Sequence, residues 1–189
     1  MKLINFTKVK DGKYLKNYEL EYENKSGKSK KYEIVSRSEI TSVDELGTKV
    51  SGVSIVVFYE GKLLLLKEFR MAVNRYIYNL CAGMIEPGEM LMDAIERELH
   101  EETGLFLDEV IDILPPSYAA VGFSDVLTHI AIVKAKGTLS DEFLSENEDI
   151  VARFYTEEEV QKLLETERFS SRAQTMAYFY ANGYYKYVK

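Results

Sequence analysis

Glu98, Glu101 and Glu102 stand three and four residues apart, in a stretch where the apolar residues Leu91, Ile95 and Leu99 recur every four. That spacing predicts a helix from Met90 to Thr103, with Gly104 where a helix C-terminal glycine is expected. On such a helix the three carboxylates share about a third of the circumference. They also occupy its last turn and a half, where the macrodipole is negative and each acid costs roughly 0.3–1 kcal/mol. An acidic helix run by itself is a solvated face. Here Leu91, Ile95 and Leu99 point in nearly the same direction as Glu98 and Glu102, which sets part of the cluster at the edge of the buried stripe. Like charges that are partly buried need a compensating cation. Oxygen ligands without clustered His or Cys suit Mg²⁺, with Mn²⁺ as the other choice, rather than zinc.

The elements around that helix follow from the patterning. Residues 1 to about 45 alternate apolar and polar side chains over Tyr18–Tyr22 and Lys31–Val35, with a turn at Asn24–Ser29. This β-rich piece is too small to hold a core alone, so it must pack on the main domain, 46–189, or on a second copy; a homodimer is expected. Ser51–Tyr59 and Lys62–Phe69 flank a Glu60-Gly61 turn and are almost continuously apolar, as strands covered on both faces are. Tyr76–Leu80 is a third strand. After the helix come a loop containing Pro115-Pro116, a strand over Leu127–Ala135, an acidic loop over Leu139–Asp149 and a strand over Ile150–Tyr155. Thr156 and Glu159 form a capping box for a helix to about Glu167, and a last helix spans about Ser171–Ala181. The order predicts an α+β chain, an α/β/α sandwich with a mixed central sheet and an N-terminal antiparallel β extension.

The 189 residues carry 31 acidic against 24 basic side chains, a net charge of -7, which argues against nucleic acid or an anionic membrane as partner. The single cysteine, Cys81, excludes an internal disulfide and suits a reducing cytoplasm. No apolar run approaches the roughly 18 residues of a membrane span, and no signal peptide is expected.

The stretch Gly83-Met-Ile-Glu-Pro-Gly-Glu89, seven further residues, then Arg97-Glu98-Leu99-His100-Glu101-Glu102-Thr103-Gly104-Leu105 resembles the complete signature of the Nudix hydrolases. That resemblance implies cleavage of a diphosphate linked to another group, with water and divalent metal ions. It implies Glu98 and Glu102 as principal metal ligands, Glu101 as a further ligand or a catalytic group, and the carbonyl of Ala82 as another ligand. Arg97 and Glu89 match the pair that orients the carboxylates, and Gly83, Gly88 and Gly104 match structural positions.

Outside this box the chain resembles the ADP-ribose and nucleoside-diphosphate-sugar pyrophosphatase subgroup, in which an N-terminal β-piece helps form the dimer. Glu68-Phe69-Arg70 is similar to a strand end whose arginine contacts phosphate, which implies Arg70 as a substrate ligand. The acidic loop implies Glu146 as catalytic base, with a box glutamate as the alternative, and Glu148 as a metal ligand. Phe123 or a strand tyrosine could stack on a nucleobase. Val121 stands where the subgroup's ADP-ribose marker has proline, and Cys81 where many relatives have proline. The leading expectation is a Mg²⁺-dependent pyrophosphatase that cleaves ADP-ribose or a related nucleoside diphosphate sugar to a nucleoside monophosphate and a sugar phosphate. GDP-mannose, a dinucleotide polyphosphate, a coenzyme A derivative or a nucleoside triphosphate are alternative substrates, and a non-catalytic nucleotide-binding regulator is a third reading. His129 is expected to be a satisfied core histidine and His100 to face solvent or a neighbour. The C-terminal tyrosines Tyr178, Tyr180, Tyr184, Tyr185 and Tyr187 are expected in core and dimer contacts.

Overall fold

A computed structural model describes residues 1–185, so Tyr187 lies outside the described residues. The chain divides into two compact units, one made of Met1–Ser51 with Pro116–Thr128, the other of Gly52–Pro115 with the chain from His129 on.

In the first unit, β1 (Lys2–Asp11), β2 (Lys16–Glu23) and β3 (Ser29–Ser36) form an antiparallel sheet in that order. Alternation places Tyr18 and Leu20 on one face, where they bury with Ile40 against Phe6, Ile34 and Leu46. The Tyr18 hydroxyl accepts the Ile40 N–H at 2.7 Å, so the ring is buried with its polar end satisfied.

The second unit is built on β4 (Val50–Tyr59), β5 (Lys62–Arg70), β6 (Arg75–Asn79), β7 (Cys81–Met84), β8 (Phe106–Tyr118), β9 (Leu127–Lys136) and β10 (Ile150–Tyr155), of which Val50–Ser51, Pro116–Tyr118 and Leu127–Thr128 count with the first unit. These make a mixed seven-stranded sheet of order β10-β5-β4-β9-β8, with β6 paired to β5 and β7 to β4. The apolar run in β5 is read out by the pleat. Leu64 and Leu66 enter one core with Val53, Ile55, Ile95 and Leu99, while Leu63 and Leu65 enter the opposite core with Val56, Phe58, Val160 and Ala177. α1 (Leu91–Thr103) therefore covers one face, and α2 (Glu157–Thr166) with α3 (Ser171–Ala181) the other. This is the expected α/β/α sandwich, and the Thr156/Glu159 capping box forms as read.

One expectation is corrected. The segment around Pro115-Pro116 is not a loop but the end of β8, a strand at the sheet's edge. A proline there lacks an N–H that the edge of a ladder does not require.

Candidate functional site

The site is built where α1 crosses β7. Ala94, Ile95, Leu99 and Thr103 bury the helix's inner face. Its C-terminus closes on Gly104 at φ 73°, whose N–H donates to the His100 carbonyl at 2.8 Å. β7 pairs with β4 in the register Gly52↔Met84 to Ile55↔Cys81, which fixes the backbone of Ala82 and Gly83 beneath the helix. The Ala82 N–H donates to Glu102 Oε2 at 2.9 Å.

Gly83 faces Glu98. A Cβ built on Gly83 would overlap the Glu98 carboxyl group, so a side chain there must displace the carboxylate. Gly83→Ala is expected to lower turnover by about 10²-fold, the scale of a misplacement near 1 Å, while the protein stays folded. Steady-state rates and far-ultraviolet circular dichroism check this; a fully active, folded variant contradicts it.

Arg97 organises the other carboxylates. Its guanidinium donates to both oxygens of Glu89 at 2.8 and 3.0 Å, to the Met84 carbonyl at 2.8 Å, to Glu98 Oε1 at 2.8 Å and to Glu101 Oε2 at 3.1 Å. Glu89 also accepts the Glu86 N–H at 2.8 Å. Arg97, and after it the Glu86 N–H, hold the Glu89 carboxyl at about 2, well below its usual range. A depressed folded-state pKa contributes stability above the ordinary value of 4.5 that is lost as pH falls from there toward 2. Glu89→Gln is therefore expected to flatten the acid limb of a melting-temperature profile between pH 4.5 and 2. A limb as steep as that of the unsubstituted protein contradicts the assignment.

Glu98 and Glu102 have the opposite character. Burial raises the Glu98 carboxyl, against the opposing pull of Arg97. Burial raises Glu102 to about 8, countered by hydrogen bonds from Cys81 and the Ala82 N–H, with the charges of Glu98 and Glu68 pushing it further up. Glu101 is half exposed and paired only with Arg97 among the described residues. Cys81 is buried, its thiol raised by that burial, and its Sγ lies 3.6 Å from the Glu98 carbonyl oxygen.

Glu68 was not singled out from the sequence. It is only 6% exposed, lies two residues beyond Leu66, and so continues the stripe that faces α1. A carboxylate in phase with the apolar stripe of a buried strand was the signal available. Asn79 Nδ2 donates to Glu68 Oε1, Ser170 Oγ donates to Asn79 Oδ1 at 2.6 Å, and Arg70 Nη1 lies 3.3 Å from Glu68 Oε2. Arg70 ends β5 with its side chain half exposed, beside a cavity of about 210 Å³ walled also by Asn147, Glu148 and Asp149. A second cavity, of about 310 Å³, is lined by Glu102, Ser140, Leu144 and Ile150.

The acidic loop lies between these two cavities. The Ser140 N–H donates to the Thr103 carbonyl at 2.9 Å, and the Phe69 N–H donates to the Asp149 carbonyl at 2.9 Å. The Tyr76 hydroxyl donates to the Asp149 carboxylate. Glu148 is exposed, accepts the Ser145 N–H at 2.9 Å, and its charge bears on Glu98. Glu146 is exposed. Gly88 turns the loop before Glu89 at φ 85°. Phe123 belongs to the first unit, where it is exposed and its carbonyl accepts the Val35 N–H at 2.8 Å; Val121 is exposed in the same turn. His129 is part-buried with Nδ1 3.0 Å from the Leu114 carbonyl oxygen, as a satisfied histidine should be.

The second unit thus brings together Glu98, Glu101, Glu102, Arg97, Glu89 and the backbone of Ala82 and Gly83. Among the described residues, no three His, Cys, Asp or Glu side chains form a ready-made metal cage. Arg97 occupies one oxygen of Glu98 and one of Glu101. The donor set nevertheless fits a hard divalent cation: two desolvated, like-charged carboxyl groups and a neighbouring strand backbone, with oxygen donors throughout.

Residues 48–179 match the NUDIX domain family model. The chain is 30% identical over 166 residues to the ADP-ribose pyrophosphatase of Bacillus subtilis (strain 168), covering 87% of this chain and 83% of that protein. It is 31% identical over 134 residues to the ADP-sugar pyrophosphatase of Mus musculus, covering 68% of this chain and 59% of that one. In three dimensions it matches the crystal structure of an ADP compounds hydrolase with a TM-score of 0.73 at 19% identity, over 97% of this chain and 93% of that one, a likeness of fold.

Proposed function

This chain belongs to the Nudix family of hydrolases, which act on pyrophosphate bonds, and from that premise we propose that it hydrolyses ADP-ribose or a related nucleoside diphosphate sugar with Mg²⁺. The products are a nucleoside monophosphate and a sugar phosphate. The observation that carries this reading is the pair of part-buried, mutually repelling carboxyl groups, Glu98 and Glu102, with Glu98 set over the Gly83 backbone, in a chain similar along most of its length to an ADP-ribose pyrophosphatase.

In this reading Glu98, Glu102 and the Ala82 carbonyl would hold the metal ions, with Glu101 and Glu148 as further ligands. Divalent cations there would neutralise diphosphate charge and make the attacking water more acidic. Arg97, fixed to Glu89, holds Glu98 and Glu101 in position. Arg70, steadied by the Glu68 carboxylate, receives a phosphate oxygen by charge-assisted hydrogen bonds. Glu146 takes the proton from the attacking water. The β-piece of residues 1–45 serves dimerisation, and the lone buried Cys81 suits a reducing cytoplasm. No helix among the described residues is long and apolar enough to cross a membrane.

Val121, exposed where the ADP-ribose marker proline stands in relatives, leaves the sugar and base to experiment. A panel of ADP-ribose, other nucleotide sugars, dinucleotide polyphosphates, coenzyme A and nucleoside triphosphates should be assayed for phosphate-ester products in Mg²⁺ and Mn²⁺. Highest kcat/KM on a nucleotide sugar is the expected result. Preference for a triphosphate would overturn the substrate class, and tight binding of ADP-ribose without cleavage would overturn catalysis.

A further inference from the structure

His100 occupies the variable position of the box, between the core residue Leu99 and the candidate ligand Glu101. Its ring contacts two aromatics, stacked on Phe106 with centroids 4.8 Å apart and tilted against Phe143 with centroids 4.2 Å apart. Phe106 opens β8, whereas Phe143 belongs to the acidic loop, three residues before Glu146 and five before Glu148. Both phenylalanines are about half exposed. Other contacts hold the loop at the same end. The Ser140 N–H meets the Thr103 carbonyl at 2.9 Å, and Gly104 permits that approach because a Cβ there would lie 2.7 Å from the Ser140 Cβ. Leu139 and Leu144 pack on the core that contains Leu99. At the far end Asp149 is tied to the Phe69 N–H and the Tyr76 hydroxyl. Between the two anchors, Ser145 and Glu148 close a small turn on each other, the Glu148 N–H donating to the Ser145 carbonyl at 3.1 Å.

We propose that Phe143, through its ring contact with His100, is a positioning residue that fixes the acidic loop to the end of the carboxylate helix. The proposal rests on the reading of Glu146 and Glu148 as the groups the loop delivers. Three residues span at most about 11 Å when fully extended, so a fixed Phe143 confines Glu146 to a short radius about the helix end. Without this contact, the loop keeps its Asp149 anchor and the packing of Leu139 and Leu144 but loses its aromatic tie to the end of α1. Productive arrangements then become a smaller fraction of the ensemble, and the chemical step slows in proportion.

The test uses the full chain and the nucleotide sugar that it turns over fastest. Phe143→Ala is expected to lower kcat about three- to tenfold, the span of an aromatic pair energy, with KM changed less than twofold. Amide hydrogen exchange at Ser140 and Glu148 is expected to quicken by a similar factor. Phe143→Tyr, which keeps the ring contact, should restore both readouts, and His100→Ala should reproduce the loss. A Phe143→Ala kcat within twofold of the unsubstituted protein, or a fall in kcat without faster exchange at Glu148, overturns the proposal. The exchange readout needs no substrate. If the unsubstituted protein cleaves no nucleotide sugar, the functional reading fails, and exchange at Glu148 still decides whether Phe143 holds the loop.

Discussion

Glu102→Gln is expected to lower Mg²⁺-dependent turnover by about 10³-fold or more and, in the metal-free protein, to raise the melting temperature at alkaline pH. The first effect follows from loss of a candidate ligand whose cation supplies several kcal/mol of charge stabilisation to the transition state. The second follows from burial, which raises the Glu102 carboxyl from 4.5 to about 8. A carboxyl raised in the folded state binds its proton there more tightly than in the unfolded chain. Its contribution to stability is therefore fully present below pH 4.5 and is lost as pH rises through 8. Glutamine keeps an oxygen for the Ala82 N–H and cannot ionise, so the variant escapes that loss. Melting in chelator at pH 5 and pH 9 should give nearly equal temperatures at the first and a higher one for the variant at the second. A variant that retains turnover, or is no more stable at pH 9, removes Glu102 from this role.

Glu146→Gln is expected to reduce kcat by about 10²- to 10⁴-fold with little change in KM, the range for removing a positioned general base. Glu146 is exposed in a loop whose two ends are pinned, at Ser140 and at Asp149, and it carries a carboxylate that no core packing demands. Glu101, half exposed and bound to Arg97, is the other candidate base. Parallel kinetics of Glu146→Gln and Glu101→Gln separate the two, since the residue that takes the proton shows the larger loss in kcat. A rise in KM alone on Glu146→Gln would give the loop residue a binding role and leave the proton to Glu101.

The strands and helices were legible wherever period and apolar content agreed. β5 could be read as doubly covered because four consecutive leucines can be buried only if both faces are. The helix of Leu91–Thr103 and its terminal glycine followed from a four-residue recurrence and a strongly local signal. The end of β8 was misread because proline argues against a strand locally, while edge position is decided by partners far away in sequence.

The same division runs through the site. Glu98, Glu101 and Glu102 could be placed on one face by helical arithmetic alone, but not their unequal burial. Glu101 is half exposed because it lies outside the seam where α1 meets β7. Glu68 was hidden because its importance lies in Asn79 and Arg70, which reach it from the ends of β6 and β5, and in Ser170, which holds Asn79 from the start of α3. The contact of His100 with Phe143 joins residues forty-three positions apart and has no sequence period to betray it.

The most direct measurement is the product analysis of ADP-ribose incubated with metal-depleted protein, before and after Mg²⁺ is restored. Release of AMP and ribose 5-phosphate in equal amounts, only when Mg²⁺ is present, is the expected result. ADP-ribose that stays intact with Mg²⁺ and with Mn²⁺, or is cleaved at the same rate in chelator, would contradict a metal-dependent pyrophosphatase built on the carboxylates of α1.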